Sequence, residues 1–110
     1  MSNALRDRWL PEVEAEFDAL LHRNRSVCAR VGNLFRAFEK VVSDGVDGLG
    51  QPLGRFGSAD VYVMYAEPVL LCFAVSGDEI AIVKWSEIGT EYEQQQDLEE
   101  AKRRAARLFP

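Results

Sequence analysis

The chain has 110 residues, 47% of them hydrophobic and 28% charged, with a net charge of −5. That length holds one domain, residues 1–110, with one core. The acidic balance argues against generic nucleic-acid binding and leaves room for a local basic patch. Cys28, Cys72 and the lone His22 are too few for a zinc site of the usual kind, so no metal or cofactor is expected.

Arg6, Asp7 and Arg8 stand where a signal peptide would need an apolar stretch, and a cytoplasmic location is expected. Pro11, followed by Glu12, Glu14 and Glu16, marks a helix start whose carboxylates suit the positive end of the helix dipole. Leu10, Val13, Phe17, Leu20 and Leu21 then recur at helical spacing. A second helix is expected from Ser26, with a stripe of Val27, Val31, Leu34, Phe35, Phe38 and Val41 or Val42, stopping at Gly45. The link His22-Arg23-Asn24-Arg25 is short enough to make the two helices a hairpin. Gly32 lowers helix propensity and is read as a point of close approach between them. Cys28 in this helix and Cys72 further on sit among apolar neighbours and are read as buried thiols.

Five of the eight glycines fall between Gly45 and Gly57, which predicts a long irregular connection. Its one cation is Arg55, and it lacks the lysine and Ser/Thr of a phosphate loop. Three β-rich runs follow: Asp60 to Ala66, Val69 to Val75 and Glu79 to Trp85. Glu67-Pro68 and Ser76-Gly77-Asp78 separate them as hairpin turns, giving an antiparallel meander with the most apolar run in the middle. That middle run is too short to cross a bilayer. Glu91 to Glu100 is read as an acidic, glutamine-rich link into a last helix striped by Leu98, Ala101, Ala105 and Leu108. Glu99 with Arg103, and Glu100 with Arg104, are spaced for i,i+4 pairing.

The fold class expected is α+β: a helical hairpin packed on a small antiparallel meander, followed by a C-terminal helix. That order resembles the RelE/ParE toxin superfamily, above all its HigB-like, phage-associated branch. Arg8-Trp-Leu-Pro-Glu-Val13 looks like the family's short first strand running into its first helix. Asp47-Gly-Leu-Gly-Gln-Pro-Leu53 looks like its leucine-glycine-x-proline loop, and Leu98 to Arg104 like its terminal helix. Pro68 to Ile82 fits its hairpin.

The resemblance implies the toxin of a type II toxin–antitoxin pair, acting as an endonuclease on ribosome-bound messenger RNA. Such chemistry needs a base for the ribose 2′-hydroxyl, cations for charge developing on phosphate, and an acid for the leaving oxygen. The resemblance assigns these catalytic roles to Arg55, Lys84 and Tyr92, and RNA contact to Arg103 and Arg104. It also implies a small antitoxin partner, of helix-turn-helix type, and no membrane. Departures from the family pattern are plain: Tyr65 and Val69-Leu70 stand where arginines are common. Two alternatives therefore stay open. One is a ParE-like toxin that binds DNA gyrase. The other is a catalytically silent protein-binding module presenting Phe56, Tyr62, Tyr65, Trp85 and Tyr92 on one surface.

Overall fold

The computed structural model describes residues 6–23, 25–45 and 50–110. Along the chain run β1 (Arg6–Trp9), α1 (Pro11–Leu21), α2 (Arg25–Asp44), β2 (Gln51–Phe56), β3 (Ala59–Ala66), β4 (Val69–Ser76), β5 (Glu79–Glu87) and α3 (Glu91–Leu108). The strands form one sheet in the order β1-β5-β4-β3-β2. β2 to β5 are an antiparallel meander, and β1 adds to it parallel to β5. The class is α+β, as the residues predict.

The two periodicities explain the layering. Alternation along β4 sends Val69, Leu71 and Phe73 to one face and Leu70, Cys72 and Ala74 to the other, and all six are buried. On the first face lie α1 and α2, whose Val13, Leu20, Val31, Leu34 and Phe38 close over Phe73, Ile82 and Trp85. On the second lies α3, with Ala101, Ala105 and Phe109 against Val61, Val63 and Val83. A strand buried on both sides needs a continuous apolar run, and β4, at the centre of the sheet, has one.

Three sequence expectations are corrected. The Gly45–Gly57 connection is not irregular throughout: Gln51–Phe56 is an edge strand paired with β3. Pro52 and Gly54 are tolerated there because no described strand pairs with the other side of β2 and its register shifts between them. Residues 46–49, which include the start of the Asp47–Leu53 loop, lie outside the described residues. Second, the acidic link is helix. Thr90 caps α3 with a full capping box, its hydroxyl accepting from the Glu93 amide while the Glu93 carboxylate accepts from the Thr90 amide.

Third, Gly32 does not mark a close approach. The nearest atom to a Cβ placed there is the Arg36 guanidinium nitrogen, 3.8 Å away. Gly32→Ala is therefore expected to stabilise the protein by about 0.5–1 kcal/mol through helix propensity alone. Urea melts of the two forms, at equal slope, would check this.

The thiols differ from each other, and neither is in a disulfide. Cys72 is buried, and burial first, then the nearby Asp97 carboxylate, push its pKa up to about 12. Cys28 is only half-buried and donates to the Leu21 carbonyl at 3.1 Å.

Candidate functional site

β1 pairs with β5 only along Glu79–Ile82. From Val83 onward β5 has no described strand on that side, and its outward backbone groups need other partners. Side chains from the two helical layers supply them. The Trp85 amide donates to Glu16 Oε1 of α1 at 3.3 Å, and the Val83 carbonyl accepts from Arg104 Nη1 of α3 at 3.0 Å. The same two side chains meet each other around the sheet edge, Arg104 Nη1 to Glu16 Oε1 at 2.8 Å.

Lys84 completes this clasp. Its ammonium donates to Glu16 Oε2 at 2.5 Å and lies 3.8 Å from Asp97 Oδ1, while Asp97 Oδ2 accepts from the Ser86 hydroxyl at 2.6 Å. Arg104 Nε reaches Glu100 at 3.1 Å. Arg104 is only 8% exposed. Burial acts to lower its pKa, but the Glu16 and Glu100 carboxylates outweigh that and the net shift is upward. Glu100 is held below the usual carboxylate range, chiefly by its hydrogen bond from Arg103. Further along, Arg107 of α3 hydrogen-bonds Glu12 of α1.

The five candidate residues are thus distributed as follows. Lys84 and Arg104 share the clasp, with three carboxylates around them. Arg103 is exposed on α3 and pairs with Glu100, while Glu99 pairs with Lys102 instead of Arg103. Tyr92 is 73% exposed in the first turn of α3. Arg55 lies on β2, at the opposite edge of the sheet from β5, and donates to the Ser58 carbonyl at 3.4 Å. Three strand intervals put about 14 Å between those edges. Arg55 and Lys84 are not brought together.

The proposed aromatic surface is likewise dispersed. Trp85 is 1% exposed and packs on Phe17, Tyr62 stacks on Phe73, and Phe56 lies beneath Lys102. Tyr65 accepts a hydrogen bond from Gln94 of α3. The buried Trp85 Nε1 has no partner among the described residues.

Chemically, the clasp is poorly suited to stabilising an anion. A phosphate approaching Lys84 would have to displace Glu16 or lie beside Asp97, and like charges at that range repel. The hollow there, about 210 Å³, is lined by Glu16 and Glu87 as well as Arg23 and Lys84. Among the described residues, no group of three or more His, Cys, Asp or Glu side chains could hold a metal ion. No described helix is long and apolar enough to cross a membrane.

Glu16 and Arg104 were not among the sequence candidates for this pairing, although a signal existed. Glu16 sits three residues after Val13 and four before Leu20, and Arg104 three after Ala101 and four before Leu108. Each charge lies inside its helix's apolar stripe, where it must find a partner.

The sequence matches no family model and no curated protein. Among solved structures, a chain described as a chromosomal ParDE TA system from P. aeruginosa aligns with a TM-score of 0.58 and 21% identity. The alignment covers 80% of this chain and 100% of that one. The likeness is one of fold. The ParDE chain matches over its whole length, so the shared architecture is not confined to a fragment of it.

Proposed function

We propose that this chain is the toxin of a type II toxin–antitoxin pair, and that it acts by binding a target, as a ParE-like protein binds gyrase, not by cutting RNA. The fold shared with the ParDE chain supports the toxin class. The observation that carries the choice of mechanism is the state of Lys84 and Arg104: both are neutralised by Glu16, Asp97 and Glu100, while Arg55 lies three strands away. Removing one charge-stabilising donor from such an enzyme costs about 3 kcal/mol, roughly a hundredfold in rate. A nuclease lacking two would be close to inactive. An antitoxin partner belongs to the proposal; ribosome and messenger RNA belong to the competing nuclease reading, in which Tyr92 would be the acid or base.

Induced expression separates the two. The expected result is growth arrest with no new RNA ends by primer extension, accompanied by stabilised DNA cleavage when the purified protein is added to gyrase and plasmid. Tyr92→Phe is expected to leave the arrest unchanged. New RNA ends that vanish in Tyr92→Phe would establish the nuclease, and growth without arrest would remove the toxin class.

A further inference from the structure

Arg55 apart, the described cations from Arg23 onward fall into two groups. Those of α1's end, β5 and α3 are all paired: Arg23 with Glu87, Lys84 and Arg104 with Glu16, Lys102 with Glu99, Arg103 with Glu100, Arg107 with Glu12. Those of α2 are not. Arg25, Arg30, Arg36 and Lys40 are exposed, and none has an ion pair among the described residues. Arg36 makes one hydrogen bond, to the neutral Asn33. In a chain of net charge −5, four exposed cations with no ion pair among the described residues share one helix, Arg55 on β2 being a fifth.

Helical geometry makes this face a line. At 3.6 residues per turn, Arg25, Arg36 and Lys40 fall within roughly 60° of arc, and Arg30 about 80° to the side. Arg25 and Lys40 are about 22 Å apart along the axis. Between them stand Ser26, Ala29 and Asn33, all exposed. No large apolar or aromatic residue lies on that arc, so the face offers neither the anchors of a protein interface nor a platform for stacking unpaired bases. Small side chains, two of them polar, interleaved with unpaired cations suit phosphate contact.

We infer that the solvent face of α2 binds the phosphate backbone of duplex DNA, without sequence preference. A projecting helix ridge fits the wide major groove of B-form DNA and does not enter the deep, narrow one of A-form RNA. Two features confine the contact. Glu39 and Asp44 weaken the C-terminal end of the ridge, and α1, packed on the same face of the sheet, exposes Glu14 and Asp18, which turn the backbone away from that side. The inference does not depend on the toxin reading.

Fluorescence anisotropy with a labelled B-form duplex of mixed sequence tests it. Four contacts give a log–log salt slope near −3.6, so a fourfold rise in salt should weaken binding about a hundredfold. Arg25→Gln/Arg30→Gln/Arg36→Gln/Lys40→Gln should abolish binding, and Arg36→Gln alone should reduce the slope by about 1. Lys102→Gln, on α3, should change neither. Circular dichroism would establish that the fourfold variant is folded; if it is not, the Arg36→Gln slope decides. Absent wild-type binding, undiminished binding by a folded fourfold variant, equal or tighter binding of the same sequence as duplex RNA, or tighter binding of a polyglutamate peptide would each overturn the inference.

Discussion

Glu16→Ala is expected to lower the unfolding free energy by about 3 kcal/mol, one of the two largest effects foreseen for any single substitution in this chain. The carboxylate accepts from the Lys84 ammonium, the Arg104 guanidinium and the Trp85 amide at once. Its removal leaves Arg104 and Lys84, whose side chains are 10% and 13% exposed, without their closest counter-charge. Breaking a buried pair from one side costs about 3–5 kcal/mol. Glu16 is itself 20% exposed, and water admitted there brings the figure to the lower end. Urea denaturation should show the loss as a lower midpoint at constant slope.

Glu16→Gln should lose less than Glu16→Ala, because an amide oxygen still accepts from Trp85. Replacing Glu16, Lys84 and Arg104 together by leucine and methionine should recover much of the loss, since apolar substitutes for a buried ionic group are often neutral or stabilising. The clasp also covers an otherwise open strand edge, so Glu16→Ala should begin to self-associate at concentrations where the parent is monodisperse. A stability loss under about 1 kcal/mol would place this network with ordinary surface ion pairs.

What could be read in advance followed from range along the chain. The three meander strands were legible within a residue or two because alternation and turn residues are local signals, and Gly77 and Pro68 sit where hairpins need them. β2 was not, because its Pro52 and Gly54 are poor strand formers that only an edge position excuses. The start of α3 was hidden by glutamine and glutamate that read as solvated linker, although Thr90 and Glu93 spell a capping box. The clasp joins residues 68 and 88 positions apart, and no local pattern says which cation a stripe-embedded glutamate will meet. The fold was therefore visible in outline. The site was not, because the carboxylates that meet Lys84 come from helices on opposite faces of the sheet.

Gly57→Ala is the other large effect, again about 3 kcal/mol, and it tests how α3 is held. Gly57 begins the turn between β2 and β3 with φ +62°, a region in which an alanine is strained by about 1–2 kcal/mol. A Cβ built there would stand 2.1 Å from the Phe109 carbonyl oxygen and 3.0 Å from the Ala106 Cα, both backbone atoms that cannot rotate aside. The Phe109 carbonyl accepts from the Ser58 amide at 2.7 Å, so the end of α3 would have to lift off the turn that seats it. Lifting it exposes part of Phe109, now 5% exposed, whose full burial is worth about 1.5–3 kcal/mol. Gly77→Ala supplies the control. Gly77 has nearly the same φ, +61°, and nothing within 4 Å of its would-be Cβ. It should lose only the backbone strain, and the difference between the two variants measures the clash. Hydrogen exchange at the Ser58 amide should quicken in Gly57→Ala and not in Gly77→Ala. Equal losses in both would mean that α3 does not depend on the β2–β3 turn for its docking.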